Sequence, residues 1–194
     1  MSGTGDDSLG AGPRPGRRAA RSIAEWALVV VGAVLAALLV KTFLFQAFRI
    51  PSESMVPTLQ VGDRVLVNKL SYRLHDVRRG DVVVFSRPDQ LEDPTGVEPE
   101  DLIKRVVAVG GDTVVARDGV LYVNNQPLTE PYVAQGAGTF RLDEPVTVPD
   151  GKVFVMGDNR ENSQDSRYFG PIPTDSIVGR AFVRMFPFGR FGSL

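Results

Sequence analysis

The sequence predicts a mostly β protein: an antiparallel β-sheet domain, barrel-like or sandwich-like, behind a single N-terminal transmembrane helix. Three observations carry this. One apolar run, Trp26 to Phe45, holds a single charge, Lys41. Beyond it come short runs rich in Val, Leu, Ile and Phe, with almost no helical period. Pairs such as Gly-Asp, Asp-Gly and Asn-Asn punctuate these runs about every ten residues, as turns between antiparallel strands would.

Residues 1–21 are rich in Gly, Pro, Ser and Arg and lack an apolar period, so they are expected to form a disordered cytoplasmic tail. Residues 22–48 are assigned to the anchor helix. About twenty apolar residues span a bilayer core, and Lys41 lies close enough to the end for its stem to snorkel outward. A cleavable signal peptide competes, because the uninterrupted core from Ala27 to Val40 is no longer than a signal h-region. Lys41 to Ile50 contains no small-x-small cleavage pattern, which favours an uncleaved anchor. Arg14, Arg17, Arg18 and Arg21 precede the run, while only Arg49 and Arg64 follow closely. The positive-inside rule then places the N-terminus in the cytoplasm and residues 49–194 outside it, in a single-pass protein of the cell membrane.

The outer part is long enough to bury a core of its own. Its expected strands are Arg64–Val67, Asp81–Phe85, Leu102–Val109, Thr113–Ala116, Val120–Val123, Lys152–Met156 and Ile177–Met185. Two stretches interrupt them: Ser86 to Asp101, rich in Pro and acid, and Gln126 to Pro149, with four prolines. Both read as solvated. The second, taken as about 117–150, reads as an inserted flap or small subdomain.

Composition narrows the chemistry. A net charge of −1 and a pI near 5.9 give no reason to expect nucleic acid as a partner. There is no cysteine, which excludes thiol catalysis, disulfides and cysteine-ligated metal centres. The single histidine, His75, sits in the polar segment Tyr72-Arg-Leu-His-Asp-Val-Arg-Arg79 and reads as a solvated surface residue.

Three segments remain as candidates for chemistry. Pro51-Ser-Glu-Ser-Met-Val-Pro-Thr-Leu59 follows directly on the apolar run, with Ser54 as a candidate nucleophile. From Phe48 to Ser54 an extended link reaches at most about 20 Å, so this serine would work near the outer membrane surface. In Asp101-Leu-Ile-Lys-Arg-Val-Val-Ala-Val109, Lys104 and Arg105 stand side by side in an otherwise apolar strand. They could lie on an edge strand and reach water. Alternatively, burial could lower the pKa of Lys104 toward that of a general base. Gly157-Asp-Asn-Arg-Glu-Asn-Ser-Gln-Asp-Ser-Arg167 reads by itself as a polar surface loop. Its spacing fails as a calcium loop, and Val109-Gly-Gly-Asp-Thr113 fails as a phosphate loop.

In this order the three segments resemble the boxes of the bacterial type I signal peptidases, with Gly62-Asp-Arg-Val-Leu-Val-Asn-Lys69 matching the strand that follows the serine box. The resemblance covers the anchor and nearly all of the outer domain. It departs at Glu53, where many members carry Gly, and at Gly110, where Pro is common. It implies the fold shared with SOS-type repressor proteases and a Ser/Lys dyad. Ser54 would attack and neutral Lys104 would take its proton. The oxyanion would be held by the Ser52 hydroxyl and the Ser54 N–H, and Ser163 would orient the lysine. Arg105, Asp165 and Arg167 would form the ion-pair network beneath it, and Met55 would belong to the substrate-binding surface. The implied partners are secretory preproteins, cut after small residues of their signal peptides, and the lipid bilayer; no metal or cofactor is implied. Two other readings stay beside it: an anchored β domain that binds without catalysis, with Ser54 an ordinary linker residue, and a self-cleaving relative of the SOS-type repressors. No DNA-binding domain precedes the dyad to favour the latter.

Overall fold

The computed structural model describes residues 16–91 and 100–194, with side chains described from 25–38 and from 44 onward in those ranges. Two compact units divide at Lys41/Thr42. The described residues of the first belong to one helix, α1, Gly16–Phe43. The expected tail lies outside the described residues up to residue 15. Its last part is corrected: Gly16 to Arg21 is helical, because Ala and Arg are strong helix formers. Among the described residues no helix is long and apolar enough to cross a membrane. Of the expected span, residues 22–24 and 39–43 lie outside those whose side chains are described.

The anchor's expected end at residue 48 is also corrected. Phe45–Arg49 is a strand, β1, antiparallel to β2 (Arg64–Asn68), with Phe45 opposite Asn68 and Arg49 opposite Arg64. Aromatic residues suit a pleated surface, and a partner strand is available to take the backbone bonds.

The larger sheet continues through β3 (Val82–Ser86), β4 (Asp101–Val109), β9 (Lys152–Met156), β10 (Ile172–Pro173) and β11 (Ile177–Phe186). Its strand order is β1-β2-β11-β3-β4-β9-β10, and β12 (Gly192–Ser193) folds back onto β11. A smaller sheet has the order β7-β6-β5-β8, from β5 (Thr113–Arg117), β6 (Val120–Val123), β7 (Gln126–Pro127) and β8 (Val146–Thr147). Every ladder is antiparallel. The seven expected runs are all strands. The subdomain begins at Thr113, not 117, because β8 returns to pair Thr147 with Thr113. The stretch 126–149 is not wholly solvated, since Thr139, Leu142 and Val148 are buried.

One strand organises the core. β4 lies between β3 and β9, so it is central rather than an edge. Ile103 packs with Ile50, Met55, Leu59 and Val65; Val106 packs with Val83, Phe85 and Val155; Val107 and Ala108 pack with Leu121 and Phe154 of the third cluster. A strand buried on both faces leaves no exposed route for Lys104 and Arg105, so both must find partners inside the fold.

Candidate active site

The serine segment is a loop pinned at both ends. Ile50 N–H donates to the Asp63 carbonyl at 2.9 Å and Gly62 N–H donates to the Ile50 carbonyl at 2.9 Å. Between these bonds the chain turns tightly, with Val56 N–H to the Glu53 carbonyl and Leu59 N–H to the Met55 carbonyl. Met55 and Leu59 are fully buried and clamp the loop onto β2 and β3 from within. Ser54 is therefore no linker residue: it is only 8% exposed.

Lys104 is paired with Val83 across the β3–β4 ladder and is only 4% exposed. Its Nζ lies 2.8 Å from Ser54 Oγ and donates to the Ile103 carbonyl at 3.1 Å. Burial pushes the ammonium down to about 8; the fields of Asp165 and Asp158 act the other way. A buried amine with a pKa near 8 is neutral often enough to accept a proton at neutral pH, and the serine hydroxyl is at hydrogen-bond distance.

The terminal loop lies against both. After β9, Gly157 N–H donates to Asp165 Oδ2 at 3.0 Å, and Asn159 N–H donates to the Ser54 carbonyl at 3.1 Å. A Cβ on Gly157 would overlap Ser163 Oγ and the Ser54 carbonyl oxygen, so only glycine allows this approach. Two buried ion pairs lie here. Arg167 pairs with Asp165, its Nε at 2.8 Å from Oδ1. Arg105 pairs instead with Asp158, donating from Nε at 2.9 Å and from Nη2 at 2.7 Å. The expected network of Arg105, Asp165 and Arg167 is thus corrected to two pairs, with Asp158 as the residue the sequence reading missed.

The other expected residues fall into place variously. Ser52 Oγ lies 3.3 Å from Ser54 Oγ, on the exposed lip of the loop. Ser163 is buried, but its hydroxyl has no partner, and Lys104 donates to Ser54 and Ile103. Its expected bond to the lysine is not made. Met55 is in the core beneath the loop, not on a substrate surface, because its side chain packs among the valines of β2 and β3. His75 is exposed in the turn after a short helix, α2 (Ser71–Leu74). Glu53 points outward, and its carbonyl accepts from Asn159 Nδ2 at 3.1 Å.

Also missed were two residues of the small-sheet subdomain, Glu130 and Tyr132, which reach the terminal loop and β4 respectively. Arg160 is buried, with Nη1 donating to Glu130 Oε2 at 2.8 Å and to Thr139 Oγ1 at 2.7 Å. The Tyr132 ring lies 4.0 Å from the Arg105 guanidinium carbon. Glu130-Pro-Tyr132 was visible only as a polar and aromatic triplet; no spacing linked it to a site twenty to thirty residues away.

Two cavities open beside the serine. The smaller, of about 40 Å³, is walled by Phe48, Ile50, Val84 and Ile103 and reaches Ser54 and Lys104. A water needs roughly 10–15 Å³, so this pocket admits a group of a few heavy atoms. The larger, of about 450 Å³, runs past Ser52, Leu91, Leu102 and Gln164.

A mainly antiparallel β unit that brings a serine within hydrogen-bond distance of a buried lysine has the arrangement a serine nucleophile with an amine base requires. The profile of the family described as "Signal peptidase, peptidase S26" matches residues 23–186. A probable signal peptidase I-1 of Synechocystis sp. is 45% identical, covering 86% of this chain and 84% of that protein. Signal peptidase I of Mycobacterium tuberculosis is 37% identical, covering 93% of this chain and 77% of that protein. A crystal structure of a signal peptidase I from Enterococcus faecalis is 30% identical, with a TM-score of 0.41, covering 55% of this chain and 97% of that one. The chain belongs to the signal peptidase family, peptidase S26, and is a serine peptidase.

Proposed function

We propose that this chain cleaves signal peptides from secretory preproteins at the outer face of a membrane, through an acyl-enzyme on Ser54 with Lys104 as base. The buried contact between Lys104 Nζ and Ser54 Oγ carries this reading. Neutral Lys104 takes the Ser54 proton as Oγ adds to the scissile carbonyl. The developing oxyanion is held by the Ser52 hydroxyl and the Ser54 N–H. Lys104 then returns the proton to the leaving amine as the C–N bond breaks, and draws one from the water that hydrolyses the ester. Ser163, whose buried hydroxyl has no partner, is the residue of the terminal loop expected to orient the lysine. The Arg105–Asp158 and Arg167–Asp165 pairs hold the strand and loop that present these groups.

The small cavity beside Ser54 supports a preference for a small side chain before the cut, since a larger one would have to displace β-sheet core residues. Anchoring by α1 is supported by its exposed apolar residues. Val29, Val30 and Val31 are consecutive, so they point to different sides of the helix, and Trp26, Leu35 and Leu38 are exposed too. A helical stretch apolar all round suits lipid, and Arg14, Arg17, Arg18 and Arg21, which precede that stretch, favour a cytoplasmic N-terminus.

Incubating the detergent-solubilised protein with a signal-bearing preprotein tests the proposal. Wild type cleaves, and Ser54→Ala and Lys104→Ala, both still folded, do not. Substantial cleavage by either variant removes the dyad. Ser52→Ala should lower the rate by roughly a hundredfold to a thousandfold if its hydroxyl is an oxyanion donor.

A further inference from the structure

Thr58, four residues beyond the nucleophile, is held from two sides. Its hydroxyl donates to Asp158 Oδ2 at 2.5 Å. Its carbonyl accepts from Arg184 Nη1 at 2.6 Å and from Arg190 Nη2 at 3.4 Å. Arg190 also reaches the Pro57 carbonyl at 3.4 Å and pairs with both oxygens of buried Asp63 at 3.1 and 3.0 Å. Arg184 Nε in turn donates to the Arg190 carbonyl.

Arg190 closes a 3₁₀ turn, Phe188–Arg190, and the chain then returns along β11 as β12, with Leu194 N–H donating to the Phe182 carbonyl at 3.1 Å. This C-terminal strap lies beyond the residues matched by the family profile. On the hydroxyl side, Asp158 also accepts from Nε and Nη2 of Arg105, the neighbour of Lys104 on β4. Thr58 therefore stands between two anchorages: Arg184 of β11 and Arg190 of the strap through its carbonyl, and the lysine strand through its hydroxyl.

The serine loop needs such anchorages. β4 is buried on both faces within the sheet, whereas residues 51–59 have no ladder of their own and are held by backbone bonds at Ile50, Ser54 and Gly62, by buried Met55 and Leu59, and by the contacts of Thr58. The placement of Ser54 Oγ against Lys104 Nζ thus depends on what holds the middle of the loop. A displacement of about 1 Å costs on the order of a hundredfold in rate.

We infer that Thr58, Arg184 and Arg190 are positioning residues, a clamp through which the C-terminal strap and Asp158 hold the nucleophile loop in register on the lysine strand. This rests on the Ser54/Lys104 dyad proposed above. None of the three acts on substrate; they act through the loop that carries Ser54.

The test uses the full chain in detergent with a signal-bearing preprotein, measuring kcat, KM, the pH–rate profile and thermal unfolding. Thr58→Val keeps the side-chain shape and deletes the hydroxyl; Thr58→Ser restores it. Thr58→Val should lower kcat roughly tenfold to a hundredfold, with KM within about twofold of wild type, and Thr58→Ser should recover most of the loss. Arg190→Gln should lower kcat in the same way, and it carries the test alone if Thr58→Val does not fold. In both variants the plateau should fall while the acid limb stays in place. A kcat per folded enzyme within twofold of wild type, or a shifted acid limb with an intact plateau, overturns the inference. Ser54→Ala, run in parallel, separates the two readings: if it is inactive while the clamp variants are unaffected, only the clamp fails, whereas an active Ser54→Ala removes the dyad itself.

Discussion

Lys104 Nζ stands 2.8 Å from Ser54 Oγ, across fifty residues of sequence, and both side chains are buried. A lysine in this setting is chemically different from one on a surface, because removing its charge from water favours the neutral amine. Most of what can be tested about this protein follows from that contact and the groups that hold it.

The first expectation concerns pH. With the Lys104 ammonium lowered to about 8 and the neutral amine required, kcat/KM should fall about tenfold per pH unit below 8 and level off above it. The acid limb should vanish together with activity in Lys104→Ala. A limb in the ordinary carboxylate range, near 4, would assign the base elsewhere.

Stability should move with pH for the same reason. The folded state releases the Lys104 proton near 8, whereas the unfolded chain holds it to the ordinary lysine value of about 10.4. Between these values the unfolded state binds more protons, so this lysine's contribution to stability rises with pH across that window and is least favourable below 8. Lys104→Met should be inactive yet unfold a few degrees higher than wild type at pH 7, and the gap should narrow as the pH approaches 10.

The Arg105–Asp158 pair should show the cost of a broken buried ion pair. Asp158→Asn leaves the guanidinium with the Gly80 carbonyl and the Tyr132 ring as partners, so the loss in urea denaturation should be about 3 kcal/mol, the lower end for such pairs. Asp158 also raises the Lys104 pKa, so the acid limb should move to lower pH in this variant. An unchanged limb would show that its field does not reach the lysine.

Gly157→Ala tests close approach of the two loops. The φ of Gly157 is not in the left-handed region, so the penalty is steric: a methyl group would push Ser163 and the Ser54 carbonyl away. Overpacking of this kind costs about 1–3 kcal/mol, and the loss of cleavage should be far larger than the loss of stability. Equal kcat in wild type and Gly157→Ala would show that the loops can separate without consequence.

Much of the fold was legible because strand and turn signals act over short distances. Val-rich runs between Gly-Asp and Asp-Gly turns specified seven strands, and the antiparallel class followed from the spacing. β1 was hidden because Phe45 to Arg49 follows directly on the apolar run, and whether such residues coil or pair depends on a strand about twenty residues further on. The small strands β7, β8, β10 and β12 are two residues long and have no local signature.

The site divides in the same way. The sequence by itself determined the candidate nucleophile and the candidate base, since no cysteine competes, the one histidine lies in a polar turn, and Lys104 has an apolar strand around it. Tertiary structure alone decided that β4 is central, that Met55 faces the core, that Arg105 pairs with Asp158 rather than Asp165, and that Thr58 joins the serine loop to both the C-terminal strap and the lysine strand. The reason is physical. Propensity and periodicity are properties of neighbours in the chain, whereas the partner of a buried charge is set by register and packing between segments fifty to a hundred and thirty residues apart.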